Sequence, residues 1–277
     1  MIARSEAALG HLRHLCAGDG RLDLLEAALD LSVLRRAEPL DLAPFRQHVA
    51  AMASDLADLV RRRGASAEAL AEVIARSYAY RGDGDSYDDL QNADLVRVIE
   101  RRKGLPVALS ILYLHVARRQ GWEAEGLAFP GHFLIRVGIE GARHVVDPFH
   151  DGMVRDAADL RGLLRQVAGP EAELQPHHLE AVTDRDVLLR LENNVRLRLA
   201  KREDWQGAEQ SLERMLAIAP DRPELLFEAG QLNARLDKRR AAIAAFERFL
   251  LATEADGDPA MRGRASALLQ ELRRGLN

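Results

Sequence analysis

Cysteine is almost absent from this chain, and long apolar runs are absent altogether. The single cysteine among 277 residues, Cys16, excludes an internal disulfide framework and a cysteine-rich zinc site, so a reducing cytoplasm is expected. No segment reaches the uninterrupted apolar length of a membrane helix, and the first residues lack the apolar core of a secretory signal. These absences predict a cytoplasmic protein without a membrane partner.

Basic residues are too few to suggest a nucleic-acid partner. The chain has 39 Lys and Arg residues against 43 Asp and Glu residues, and its net charge is -4. A nucleic-acid-binding domain normally carries a basic footprint, so we expect no nucleic-acid partner here. Hydrophobic residues at 47% and charged residues at 30% are typical of a globular protein, and 277 residues are enough for two domains or for one core with a helical extension. No motif implies a cofactor.

Residues 22–100 are predicted to be helical almost throughout. Apolar residues recur at steps of three and four along one face of a helix that Asp41 and Pro44 are well placed to start and that ends near Arg63 and Gly64. They are Phe45, Val49, Met52, Leu56, Leu59 and Val60. Ser66 then favours the start of another helix, because a serine side chain can cap the first free amides.

The acidic loop RGDGDSYDD, residues 81–89, is ambiguous. Asp83, Asp85, Tyr87 and Asp89 alternate as the ligands of a calcium loop do. The loop lacks the central glycine and the terminal glutamate of that motif, so a solvated turn is the preferred interpretation.

The spacing of apolar residues changes within residues 102–148, and this pattern predicts a helix followed by two strands. Leu105, Leu109, Leu112 and Val116 mark a buried helical stripe that Gly121 closes, and residues 133–139 then alternate as a half-buried strand does. Glu140 and Gly141 form a plausible hairpin turn into a second strand that ends at Asp147. Residues 168–176 interrupt the helical pattern with Gly and Pro and mark the expected domain boundary.

The last hundred residues are predicted to contain a helical repeat. Ala242 and Phe246 echo Ala208 and Leu212 at a spacing of 34 residues, and Gly230 stands where a tetratricopeptide repeat (TPR) keeps a small residue. The tryptophan and tyrosine of the first repeat helix are missing, and Trp205 is expected in a turn, so a generic helical bundle is the alternative. A terminal helix over residues 259–276 would cover the last repeat.

His132 and Asp147 are the candidate catalytic residues. His132 follows a Pro-Gly break at a strand start, and pairing of the two strands would bring it to Asp147. An aspartate that accepts from the imidazole N–H fixes its tautomer, as in a catalytic triad, although the same pair could be a structural hydrogen bond. His144, His150 and Asp151 could join a metal site, but their spacing matches no metal motif, and we predict no metal.

Three segments resemble the bacterial SirB-type family, which combines a transglutaminase-like domain with TPR repeats. They are GLPVALSILYLHVARRQG, PGHFLIRV and VVDPFHDG, and the preceding YAYRGDGDSYDDLQNADLVRVIERRKG is also similar. The resemblance implies a helix, a histidine strand and an aspartate strand in that order, and it carries catalytic roles over to His132 and Asp147. The place of the nucleophilic cysteine falls at Pro106, which is inactive. Ser110 is the nearest hydroxyl, one turn into the helix.

The sequence therefore predicts an α+β, mostly helical protein. A helical N-terminal layer covers a small antiparallel-sheet transglutaminase-like core in residues 1–175, with the core at about 96–155, and TPR-like helices fill residues 176–277. The expected function is a noncatalytic binding or regulatory protein that takes a protein or peptide partner through its repeats. The alternative is a hydrolase or acyltransferase-like enzyme that uses a His132–Asp147 dyad.

Overall fold

The computed structural model describes residues 2–18 and 20–274. The chain divides into two compact units, Met1–His11 with Gly18–Leu191, and Leu12–Ala17 with Glu192–Asn277. The division comes later than the expected boundary at residue 175, because the strand Ala181–Val182 still pairs with the sheet of the first unit. The fold class is the expected one, with a small antiparallel sheet among many helices.

Helices form the N-terminal part of the chain, as predicted. They are α1 (Ile2–Leu15), α2 (Leu24–Leu34), α3 (Ala43–Arg63), α4 (Ala67–Ala71) and α5 (Leu95–Arg101). The Asp41 carboxylate accepts from the Ala43 amide at 2.9 Å where α3 begins, and Gly64 follows its end with a φ of 87°. Ser66 caps α4 by accepting from the Ala69 amide at 3.1 Å, and α4 continues into a π-helix, Glu72–Ser77.

The acidic loop is more buried than a solvated turn, so that interpretation was wrong at Asp83. This carboxylate is 1% exposed, accepts from Arg101 at 2.8 Å and accepts from the Ser86 amide at 3.0 Å. Burial opposes its ionisation, but the two hydrogen bonds lower the pKa of Asp83. Beside it, β1 (Arg81–Gly82) pairs in parallel with β2 (Lys103–Gly104).

One buried helix and a five-stranded antiparallel sheet form the core of the first unit. Helix α6 (Pro106–Arg119) has Pro106 in its first turn, and Gly121 follows its end with a φ of 77°. It packs against β3 and β4. The sheet has the order β6-β5-β4-β3-β7, with β3 (Glu123–Leu127), β4 (Ile135–Ile139), β5 (Ala142–Asp147), β6 (Met153–Arg155) and β7 (Ala181–Val182).

The predicted hairpin is confirmed. Glu140 and Gly141 have φ values of 50° and 84°, as a two-residue turn between right-twisted strands requires. Strand β4 pairs with β5 so that Ile135 faces Val146. Helix α7 (Ala157–Ala168) adds Leu160 and Leu164 to a buried cluster that also contains Leu127, Phe129 and Leu134.

The second unit is a TPR-like array. Its helices include the end of α8 (Asp184–Lys201), α9 (Trp205–Ile218), α10 (Pro223–Arg235), α11 (Arg239–Ala252) and α12 (Pro259–Arg274). Ala208 and Ala242 are buried, and a Cβ atom on Gly230 would lie 2.6 Å from the Phe246 ring, which is the close approach expected for a repeat.

Two predictions about the second unit need correction or reach past the described residues. Trp205 is the first residue of α9 and does not lie in the preceding turn, because Asp204 caps the helix by accepting from the Gly207 amide. The expected terminal helix is present as α12, and residues 275 and 276 lie outside the described residues. Among residues 2–18 and 20–274, no helix combines the length and apolar character needed to cross a membrane.

Candidate functional site

The hairpin brings His132 and Asp147 together at one end of the sheet. His132 follows Gly131, which has a φ of 68°, and stands shortly before β4. Asp147 is the last residue of β5. The His132 Nε2 atom lies 2.9 Å from Asp147 Oδ1, so the structure has the contact on which a dyad depends.

Asp147 is completely buried and is the hub of a larger network. His150 Nδ1 lies 2.8 Å from Asp147 Oδ2, and Arg155 donates to the same oxygen from Nε at 3.1 Å and Nη2 at 2.7 Å. The amides of Phe149 and His150 donate to Oδ1 at 3.2 and 3.3 Å. Both oxygens of this carboxylate therefore have several polar partners within hydrogen-bond distance.

These donors keep Asp147 ionised although it is buried. Burial raises the pKa of a carboxyl group, but the hydrogen bond and the charge of His132, together with Arg155 and His150, hold the pKa of Asp147 well below its usual range. A buried carboxylate with a neighbouring guanidinium is thus a fixed negative charge at neutral pH. It orients both imidazoles whether or not either one is protonated.

The orientation of His132 leaves its second ring nitrogen available. Because Nε2 faces the carboxylate, a neutral His132 has its proton on Nε2 and its lone pair on Nδ1. The ring packs edge-on against Phe149, with centroids 6.1 Å apart, and lies 5.5 Å from the ring of His150. This is the tautomer that a general base would need.

Pro106, where the family resemblance places the nucleophile, and Ser110, the nearest hydroxyl, both lie in α6. Pro106 is buried in the first turn and has no nucleophilic atom. Ser110 is 0% exposed, and its hydroxyl donates to the Pro106 carbonyl oxygen at 2.8 Å. The serine alternative therefore lacks both access and a free proton. Helix α6 packs against the turn Pro148–His150 that follows Asp147.

The structure brings together a different set of possible metal ligands from the set considered in the sequence. His132, Asp147 and His150 come together, with their ligand atoms within 4.8 Å of one another, whereas His144 and Asp151 are not in this group. Arg155 places a positive charge on the shared carboxylate, which disfavours a cation at the same point. The hydrogen-bond network accounts for the cluster, and the prediction of no metal stays a prediction.

Sequence reasoning missed Arg155 and Tyr113. Arg155 lies on the short strand β6, which pairs beside Asp147, and a three-residue strand has no readable period. The Tyr113 hydroxyl is buried without a hydrogen-bond partner among the described residues, and a Cβ atom on Gly152 would lie 2.7 Å from it. Burial raises the pKa of Tyr113, and the negative charges of Asp151 and Asp147 raise it further. The Tyr113 hydroxyl is therefore neutral.

The second unit has a separate pocket of about 300 Å³. The Arg235 guanidinium carbon lies 3.8 Å from the centroid of the Trp205 ring, so the cation stacks on the aromatic face. Arg196 lies in the same pocket, where it forms an ion pair with Glu228. The remaining lining residues are Ala200, Ala208, Gln231 and Leu232.

Comparison with family models defines the class of protein. A model of the transglutaminase-like superfamily matches residues 43–193, which contain the whole Asp147 network. A tetratricopeptide repeat model matches residues 195–270, which contain the stacked Trp205 and Arg235. The two matches meet close to the point where the compact units divide.

Individual relatives narrow this class. A UPF0162 protein of Xylella fastidiosa is 33% identical over 185 residues, and the alignment spans 66% of each chain, slightly less than two thirds of the relative. A UPF0162 protein of Pseudomonas aeruginosa is 30% identical and covers 79% of this chain and 82% of its own length. Protein SirB1 of Salmonella typhimurium is 25% identical over 187 residues, which are 66% of this chain and 69% of SirB1. The chain belongs to the SirB-type family of the transglutaminase-like superfamily.

Proposed function

We propose that this protein is a noncatalytic binding and regulatory protein whose transglutaminase-like site has lost its nucleophile. The relationship between Pro106 and Ser110 carries this proposal. Proline stands where the family resemblance puts the cysteine, and the nearest hydroxyl of α6 is buried and bonded to the Pro106 carbonyl. A thiolate at a helix N-terminus gains from the free amides and the helix dipole, and no thiol stands at this one.

The groups that remain are suited to recognition. Asp147 fixes His132 and His150, and each imidazole keeps one ring nitrogen that does not face the carboxylate. Such preorganised nitrogen atoms can donate to or accept from a ligand without losing side-chain freedom on binding. The side chain of His150 is 48% exposed and that of His132 is 15% exposed, so His150 is the more accessible of the two.

The second unit supplies the partner surface in this proposal. Helical repeats present concave surfaces to peptides and proteins, and a TPR match covers this unit. The Trp205–Arg235 stack holds a guanidinium against an aromatic face in the pocket of this unit. The proposed partner is a protein or peptide segment. A cytoplasmic location, proposed from the single cysteine, is consistent with this role.

One observation favours a catalytic alternative. The 2.9 Å contact between His132 and Asp147 would let His132 Nδ1 accept a proton from water, as the base of a hydrolase or acyltransferase does. Such an enzyme would need water or a substrate group as its nucleophile.

The two functions are separated by measuring turnover and binding in the same variants. Wild type and His132→Ala are assayed against a panel of acyl esters and peptide amides, and a purified candidate partner is titrated into both and into Trp205→Ala. The proposal expects the same background hydrolysis for both proteins and partner binding that Trp205→Ala weakens. Turnover that disappears in folded His132→Ala would instead establish the enzyme. His144→Ala is the matched control, because His144 lies on β5 outside the Asp147 network.

A further inference from the structure

An open cleft of about 980 Å³ lies beside the exposed His150 side chain. Residues between Glu68 and Gly84, from α4, the π-helix and β1, form one wall of this His150 cleft. The turn from Phe149 to Val154 forms the other. Its volume is at the upper end of the range for ligand sites, which is roughly 300–1,000 Å³, so the cleft is large enough to hold a ligand.

The backbone on both walls is strained. The π-helix Glu72–Ser77 ends just before Ala79, which has a φ of 58°. Asp151 on the opposite wall has a φ of 55°. Left-handed non-glycine residues and π-turns each cost conformational energy and occur preferentially at binding and catalytic sites. Both of these residues line the cleft.

Four charged side chains line the cleft without an ion pair. Arg76 and Arg81 are cations, Glu68 and Asp151 are anions, and none of the four has a salt bridge to any residue in 2–18 or 20–274. Other exposed arginines nearby do pair, since Arg63 contacts Glu72 of the π-helix at 3.0 Å. The cleft therefore presents both signs of charge with their hydrogen-bonding capacity unused.

We infer that the His150 cleft binds a peptide segment of mixed charge. An acidic side chain would pair with Arg76 and Arg81, because guanidinium groups bind carboxylates in bidentate geometry, and a basic side chain would pair with Glu68 and Asp151. A purely acidic ligand would face the two carboxylates, and a purely basic one would face the two guanidinium groups. This inference rests on the proposed function, because it names the class of partner that the binding site takes.

Other groups in the cleft fit a peptide. Ala71, Ala75 and Met153 supply apolar surface, and the Met153 side chain is 52% exposed. His150 binds Asp147 through Nδ1, so Nε2 remains for a main-chain group of the ligand. The cleft is thereby connected to His132 through one carboxylate.

The test uses the full chain and three short peptides with blocked ends, labelled with a fluorophore. One alternates glutamate and lysine between glycines, and the others replace the charged residues by glutamate alone or by lysine alone. Anisotropy is measured at low ionic strength. We expect the mixed peptide to bind most tightly. Both Arg76→Gln/Arg81→Gln and Glu68→Gln/Asp151→Asn should weaken it by about tenfold or more, the loss expected for charged hydrogen bonds.

The variants are chosen to keep the fold. All four side chains are exposed, and asparagine tolerates the left-handed backbone of Asp151. Arg143→Gln/Arg161→Gln removes the same charge from exposed positions that do not line the cleft, and it should bind within twofold of wild type. Arg76→Glu/Arg81→Glu should shift the preference to the lysine peptide.

Several results would overturn the inference. Tightest binding of a single-sign peptide, equal effects of the cleft and control variants, or no binding of any peptide would each contradict a mixed-charge site. Partner binding that depends on Trp205 but not on the four charges would leave the binding protein proposed above intact. Cleavage or acyl transfer of the peptide that His132→Ala abolishes would overturn the noncatalytic function instead.

Discussion

Ser110 donates its hydroxyl hydrogen to the Pro106 carbonyl oxygen, one turn earlier in α6, across 2.8 Å. The nearest hydroxyl to the start of α6 is thus bonded to Pro106, the residue at which the family resemblance places the nucleophile. Ser110 is also 0% exposed, so no substrate reaches it in this conformation. Its position is explained by helix packing alone.

Replacing Ser110 by alanine should therefore leave function unchanged. The substitution removes one buried hydrogen bond but introduces a better helix former, so the free energy of unfolding should change by about 1 kcal/mol or less. Urea denaturation measures the stability, and binding and turnover assays measure function. Loss of turnover in a folded Ser110→Ala protein would support the hypothesis that Ser110 is a nucleophile.

Asp147 should matter far more for stability than an exposed aspartate. Asp147→Asn removes the negative charge that faces Arg155, whose side chain is 12% exposed, and leaves a cation nearly buried without its partner. Breaking a buried ion pair in this way costs about 3–5 kcal/mol. Asp85→Asn is the matched control, because the Asp85 side chain is 93% exposed, and it should be nearly neutral. Equal free energies of unfolding of the two variants, measured in urea, would show that the Asp147 network does not stabilise the fold.

The Asp147 carboxylate should make the free energy of unfolding depend on pH in the acidic range. Because hydrogen bonds and cations hold the pKa of Asp147 below its ordinary value, its contribution is complete above the unfolded pKa of about 3.9 and is lost as the pH falls toward the folded pKa. The stability difference between wild type and Asp147→Asn should therefore narrow below about pH 4. A difference that stays constant from pH 7 to pH 3 would mean that Asp147 does not titrate as argued.

Local patterns were enough to predict α6, the Glu140–Gly141 hairpin and the contact of His132 with Asp147, because each depends on neighbouring residues. Arg155 could not be predicted, since it reaches Asp147 only through the pairing of β5 with β6. The burial of Asp83 was missed for a similar reason. It results from Arg101, which a separate helix brings to the loop.

Two buried tyrosines should respond oppositely to loss of their hydroxyl groups. The Tyr113 hydroxyl has no partner among the described residues, so Tyr113→Phe removes a desolvated polar atom and should stabilise the protein by about 1 kcal/mol or more. Tyr80 accepts from Arg102, and burial raises its pKa to about 12. Tyr80→Phe should destabilise by about 1–3 kcal/mol. A destabilised Tyr113→Phe protein would indicate an ordered water on that hydroxyl.

Two helical glycines of the repeat unit should also respond oppositely to alanine. A Cβ atom on Gly230 would lie 2.6 Å from the Phe246 ring, which is 0% exposed and cannot move aside, so Gly230→Ala should cost about 1–3 kcal/mol through overpacking. A Cβ atom on the exposed Gly263 of α12 would meet no described atom within 4 Å. Gly263→Ala should therefore stabilise by up to about 1 kcal/mol, because alanine is the better helix former. Thermal unfolding of both variants measures these effects. A neutral or stabilising Gly230→Ala would show that α10 and α11 do not approach each other as closely as the helices of a tetratricopeptide repeat.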